Sequence, residues 1–233
     1  MDTSAALQLD NVSKYYAKNN VGAITDICLR IEPGEFATII GPSGSGKTTL
    51  LNLMGGLDLA DTGKVTVFGE SPRNIQDWTR LRARKIGYVF QSFHLLPTLS
   101  ALENVEIPLF GRVSDSTARR HIALSALERV GLLHRTDHMP AELSGGEQQR
   151  VAIARSLVNA PPVILADEPT GNLDSVTAQE ILDLFYTLHR EDGTTVVLIT
   201  HEREIATIAD RIVSLKDGAI LSDTRRDRCV SRP

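Results

Sequence analysis

Residues Gly41 to Thr49 read GPSGSGKTT, which fits the spacing G-x-x-x-x-G-K-[ST] and follows the apolar run FATII. Glycines so spaced let successive backbone N–H groups wrap phosphate oxygens, and the helix that follows turns its positive end toward them. Gly41, Pro42, Ser43, Gly44, Ser45, Gly46 and Thr49 would form that cradle. Lys47 would reach the β- and γ-phosphates of a nucleotide, and the Thr48 hydroxyl would face Mg²⁺. The competing reading is a glycine turn of purely structural use, which the strand–loop–helix context disfavours.

A second chemical stretch, VILADE at Val163 to Glu168, ends an apolar run in two carboxylates. Beside a nucleotide, the first would hold Mg²⁺ and the second would activate the attacking water. That makes Asp167 the metal residue and Glu168 the general base, although acidic pairs also simply terminate strands. His201 closes the run TVVLITH and Gln91 closes IGYVFQ. Alone, a histidine at a strand end is usually structural and a glutamine carries no signal. Ligands of open α/β sheets bind beyond the carboxyl ends of strands, so Gln91, Asp167, Glu168 and His201 are expected at one edge with Gly41–Thr49.

The stretch LSGGEQQR, Leu143 to Arg150, starts a helix against propensity. Ser144 and Glu147 form a capping-box pattern. Yet Gly145 and Gly146 fill the first turn, where each costs roughly 1 kcal/mol against alanine. An ordinary capped turn would explain the serine and the glutamate. The two glycines suggest that an anion must come close to that backbone, at a second phosphate-ready helix end.

These residues need elements to hold them. FATII, VILAD and TVVLIT are short and nearly continuously apolar, as parallel strands buried on both faces are. Leu7, Leu9, Ile27, Leu29, Ile31, Val65 and Val67 instead recur with a period of two, broken by Pro33-Gly34 and Thr62-Gly63. That alternation suits an antiparallel sheet with one wet face. Between Gln91 and Pro161 strand signals vanish, and apolar positions at Ala118, Ile122, Ala126 and Val130 predict a helix. Asp217-Gly218 between two apolar stretches predicts a hairpin, and the polar tail TRRDRCVSRP is expected to fray.

The bulk figures narrow the setting. The 233 residues are 42% hydrophobic, enough for a substantial core, and the net charge of −4 gives no footprint for nucleic acid. Cys28 and Cys229 make no disulfide framework. No run approaches the ~20 apolar residues of a membrane span, and the N-terminus lacks the apolar segment of a signal peptide. A soluble, cytoplasmic protein is expected.

In their order, GPSGSGKTT, Gln91, LSGGEQQR, VILADE, GNLD and His201, the motifs resemble those of ABC transporter ATP-binding subunits, along essentially the whole chain. The resemblance implies an α/β fold of the P-loop NTPase class: a RecA-like core, an N-terminal antiparallel β subdomain and an inserted α-helical subdomain. One nucleotide-binding domain would span 1–233, with core and β subdomain in 1–91 and 161–233 and the helical signature subdomain in 92–160. It further implies that Ser144, Gly145 and Gly146, with Glu147 and Gln148, meet the γ-phosphate of ATP held by a second copy in a head-to-tail dimer. Asp174 matches the D-loop and reads equally as the cap of a helix starting at Ser175. His201 matches the switch histidine, and Gln91 the residue linking Mg²⁺ to the helical subdomain. Tyr16 matches the aromatic that stacks on adenine, with Tyr15 the alternative.

The segment FHLLPTLSALENVEIPL and the stretch EPTGNLD together resemble subunits of lipoprotein-releasing and macrolide-exporting systems. Their partners are integral membrane permeases with extracytoplasmic domains, at the cytoplasmic face of the inner membrane, and no nucleic acid is implied. Phe93, Leu95, Leu96 and Pro97 would either line a groove for a helix of that permease or pack into the helical subdomain. The alternative function is a soluble or cell-division-type ABC ATPase that does not transport.

Overall fold

The computed structural model describes residues 4–16, 21–201 and 209–225. Among the described residues the strands form two sheets. β1 (Leu7–Tyr16), β2 (Val21–Ile31) and β4 (Thr62–Val67) make a three-stranded antiparallel sheet in the order β2-β1-β4. The two-residue period sets its register: Leu7 lies between Ile31 and Val67, and Leu9 between Leu29 and Val65. Slipping any strand by one residue would turn this buried row to solvent.

The second sheet runs β5-β6-β7-β3-β8-β9, with β3 at Phe36–Ile40, β5 at Ile86–Phe90, β6 at Val163–Asp167 and β7 at Thr195–Thr200. These strands and β8 (Arg211–Lys216) are mutually parallel, and only β9 (Ala219–Arg225) runs antiparallel, through the Asp217-Gly218 hairpin. Apolar residues face both ways, as the continuous runs predict. Phe36, Ile164, Ala166, Val196 and Leu198 face one core cluster, with helical residues such as Leu102, Leu127, Ile153 and Phe185. Ala37, Ile39, Val163, Leu165, Val197 and Ile199 face the other, shared with the antiparallel sheet and α1 (Lys47–Met54).

Between β5 and β6 the chain is helical, with α3 (Ala101–Glu106), α4 (Ser116–Arg129) and α5 (Gly145–Leu157) joined by short 3₁₀ turns. The expected stripe on α4 is rotated. Ala126 and Val130 are buried as predicted, but Ala123 and Leu127 join them while Ala118 and Ile122 are only half-buried. That face is the one that meets α3 and α5. Outside this region, α2 (Ile75–Lys85) precedes β5, and α6 (Ser175–Asp192) follows β6.

The first two residues of the tail expected to fray do not. Thr224 and Arg225 still pair with Ile212 and Arg211 in β9, while Cys229 lies outside the described residues. Arg211 explains the extension. Its guanidinium donates to both Asp223 oxygens (2.6 and 2.5 Å), to Glu35 (3.3 Å) and to the Arg30 carbonyl on β2 (2.6 Å). Arg211 and Glu35 are both buried, so this joint ties the six-stranded sheet to the antiparallel one.

Candidate nucleotide site

Parallel strands place their carboxyl ends together, and the loop after β3 opens at that edge. Gly46 is the N-cap of α1 in the left-handed region, at φ 96°, and no side chain caps this helix. A side chain there is excluded, because a Cβ would stand 2.3 Å from the Ala23 carbonyl. The first-turn N–H groups of α1 are therefore left bare at the positive end of the helix. Lys47 is buried and arches over its own loop, donating to the carbonyls of Gly41 (3.0 Å) and Pro42 (3.1 Å). Ser45 Oγ is buried with no partner in the protein. Pro42, Ser43 and Gly44 line the exposed rim, and Thr49 lies half-buried on α1.

The Thr48 hydroxyl donates to Asp167 Oδ1 across 3.2 Å, joining the first turn of α1 to the end of β6. Burial, with the Glu168 charge beside it, pushes the Asp167 carboxyl above the usual carboxylate range, although the Thr48 bond opposes the shift. A hydroxyl and a partly dehydrated carboxylate in contact are oxygen donors suited to Mg²⁺. Among the described residues no cluster of three or more His, Cys, Asp or Glu forms a metal cage. Mg²⁺ usually takes one or two carboxylates plus substrate phosphates, so this donor set fits.

Glu168 lies one residue past β6 with φ 42°, which turns its side chain out of the strand's alternation. Its Oε2 stands 3.3 Å from His201 Nδ1, at the end of β7. Gln91, just past β5, donates from Nε2 to Asn172 Oδ1 (3.3 Å), and Asn172 Nδ2 returns a bond to the Gln91 carbonyl (3.0 Å). The sheet therefore brings Lys47, Thr48, Asp167, Glu168, His201 and Gln91 to one edge. Asn172 was missed by the sequence reading. Its position inside GNLD was the available signal, but its partner is 81 residues away.

Tyr16 is 47% exposed, and its hydroxyl donates to Asp58 Oδ2 at 2.8 Å. Lys14 holds the same carboxylate at 2.9 Å and lies 5.6 Å from the centre of the Tyr16 ring. Tyr16 also approaches Thr49 of α1, and its burial with the Asp58 bond pushes the phenol up. Tyr15 is fixed through its backbone, N–H to Asp61 Oδ2 at 2.7 Å.

The second helix end differs. Ser144 accepts from the Glu147 N–H (3.2 Å) and Glu147 accepts from the Ser144 N–H (2.8 Å), completing the capping box at the start of α5. These bonds hold the Glu147 carboxyl low, with help from Arg135 at 3.0 Å. Gln148 turns back to the Leu143 carbonyl at 3.1 Å. The two glycines separate here. A Cβ on Gly146 would stand 2.3 Å from the Thr177 methyl on α6, whereas one on Gly145 would meet the Leu173 side chain at 3.3 Å, a tight contact that a few tenths of an ångström of movement would relieve. Gly146 thus has a stronger packing reason inside its own chain than Gly145, beside the expected approach of an anion to both. Asp174 caps α6, accepting from the Val176 and Thr177 N–H groups and the Thr177 hydroxyl.

Past Gln91, Arg155 of α5 donates to the carbonyls of Phe93 (2.7 Å) and His94 (2.6 Å). The next loop is clasped by fully buried Asn104, which bonds Leu96 in both directions. The core-packing reading of this segment holds for one residue. Leu95 packs on the core, while Leu96 is 49% exposed and Pro97 is exposed. Among the described residues no helix is long and apolar enough to cross a membrane.

A family model described as ABC transporter matches residues 24–171. The chain is 48% identical over 225 residues to an uncharacterised ABC transporter ATP-binding protein, YvrO, of Bacillus subtilis, covering 95% of this chain and 98% of that protein. It is 46% identical over 231 residues to the macrolide export ATP-binding/permease protein MacB of Chlorobium luteolum, covering 97% of this chain but 34% of that protein. The chain thus spans about a third of the length of such MacB relatives. Among solved structures, the cassette MJ0796 in a dimeric post-hydrolysis state bound to ADP and Pi superposes with a TM-score of 0.87. It is 44% identical, covering 94% of this chain and 98% of that one.

Proposed function

The chain belongs to the ABC transporter family as an ATP-hydrolysing cassette, and from that premise we propose that two copies close head-to-tail around two ATP molecules to drive a membrane permease. The observation that carries this reading is the pair of phosphate-ready helix ends in one chain. The bare end of α1 has a lysine, an acid pair and a histidine beside it, while the capped end of α5 has no such set. An end with no chemistry of its own is of use when it meets a phosphate held elsewhere, on a second copy.

In each composite site, Lys47 and the α1 N–H groups hold the β- and γ-phosphates. Tyr16, steadied by Asp58, offers its ring to the adenine, and Ser144 and Gly145 of the other copy close over the γ-phosphate. Thr48 and Asp167 would hold Mg²⁺, with Gln91 linking it to the helical segment, and the ion would supply neutralisation of phosphate charge. Glu168 takes the proton of the attacking water, oriented by His201 at 3.3 Å. Asp174 and Asn172 link the neighbouring loops to Gln91 and α6.

The permease is proposed as an integral membrane protein with an extracytoplasmic domain, meeting the cassette near exposed Leu96. That contact would hold the cassette at the cytoplasmic face of the membrane, for export or extraction of a substrate chosen by the permease. The MacB relatives, named for macrolide export, support this direction. The test is Glu168→Gln. Removing a positioned general base lowers turnover by roughly 10²–10⁴-fold, and ATP-bound dimers should accumulate on gel filtration. Wild-type hydrolysis in that variant would remove Glu168 from the mechanism.

A further inference from the structure

We infer that Gln149, in the second turn of α5, is a positioning residue that holds the base Glu168 in its working backbone conformation; this rests on the proposed assignment of Glu168. Glu168 adopts φ 42° and is followed by Pro169. Left-handed backbone is unfavourable for a side-chain-bearing residue, and a following proline favours extended backbone instead. The conformation must therefore be imposed from outside.

On one side the Glu168 N–H donates to the Ile199 carbonyl at 3.0 Å, and the Glu168 carbonyl accepts from Gly171 N–H at 3.1 Å. On the other side the clamp is a side chain. Gln149 is fully buried, and its Nε2 donates to the Pro169 carbonyl at 2.7 Å. Its Oε1 is buried too and has no partner. An amide with one half unpaired is a poor device for stability, because an unsatisfied buried acceptor offsets the bond made by the donor. It is a good device for aim, since it fixes the carbonyl of the residue after the base.

Its place on α5 adds a consequence. Gln149 lies four residues after Gly145, so both share one face of the helix. A shift of the Gly145 end on meeting a partner's phosphate is delivered one turn later to the Pro169 carbonyl. The helix end that serves the neighbouring site thus reports to the base of its own site.

Two substitutions test this in the full-length chain, with ATP turnover and thermal unfolding as readouts. Gln149→Met keeps the volume but loses donor and acceptor together. Its kcat should fall roughly tenfold or more, with KM for ATP and the melting temperature near wild type. Gln149→Glu supplies the conservative rescue. Protonated, the new carboxyl donates to the Pro169 carbonyl; ionised, it cannot. Burial raises its pKa. The kcat ratio of this variant to wild type should therefore be near one in mild acid and fall as pH rises, with KM unchanged. A flat ratio across pH, or full kcat in Gln149→Met, overturns the proposal. Glu168→Gln run alongside separates the two failures. If that variant is inactive, such results sink Gln149 alone. If it turns over ATP at the wild-type rate, the base assignment falls and the role of Gln149 falls with it.

Discussion

The N-termini of α1 and α5 are both prepared for an anion, yet they are built in opposite ways. α1 starts on a left-handed glycine with no side-chain cap, and its lysine folds over the loop onto the Gly41 and Pro42 carbonyls. α5 starts on a serine inside a complete capping box, with its glutamate also paired to Arg135. The first end has no side-chain acceptor for its first-turn N–H groups; the second has Ser144 as acceptor for the Glu147 N–H. The difference fits the proposed division of labour, in which nucleotide affinity belongs to α1 and α5 adds a contact only when another molecule brings the phosphate.

The largest effect that follows is at α1. Hydrogen bonds to charged groups are worth about 1.5–3 kcal/mol each, and Lys47 would make at least two to phosphate. Lys47→Ala should weaken ATP binding roughly a hundredfold or more by calorimetry. Comparable loss from a substitution at Gly145 would erase the distinction between the two ends. Gly145→Asp should instead bind ATP within roughly twofold of wild type, as a distant and independent site does. It should lose ATP-driven dimerisation, because its carboxylate opposes the γ-phosphate. A dimer surviving in the background of Glu168→Gln would break that assignment.

The smaller effects separate the two glycines and the cap. Gly146→Ala drives a methyl toward Thr177 and should cost about 1–3 kcal/mol by overpacking, read as a lowered melting temperature. Thr177→Ser removes the opposing methyl and should return most of that loss. Ser144→Ala should cost about 1 kcal/mol, the usual value of an N-cap, with ATP affinity unchanged. Stability losses of equal size at Gly145 and Gly146 would return both glycines to a common role.

Local signals made much of this legible in advance. The apolar runs FATII, VILAD and TVVLIT announce buried parallel strands because both of their faces must be covered. Ser144 and Glu147 announce a helix start because the capping bonds span three residues. Hidden were features whose cause lies far along the chain. Gly146 is glycine because Thr177 packs on it, and Asn172 matters because Gln91 lies opposite. Neither partner can be named from spacing. The stripe on α4 was misjudged by one position for the same reason: the helices it meets, rather than its own period, decide which residues are covered.

The Arg211 joint carries a consequence for how the chain comes apart. The proposed nucleobase platform at Tyr16 stands on the antiparallel sheet, while the proposed phosphate loop follows β3 of the other sheet. Parting the sheets would break the bond from the buried Arg211 guanidinium to the Arg30 carbonyl, a bond from a charged donor worth about 1.5–3 kcal/mol. A partly opened form, with one sheet intact and the other frayed, is therefore penalised, and melting should be a single transition under any probe. The proposed grip on the two ends of a nucleotide would be kept at one span until the whole chain lets go.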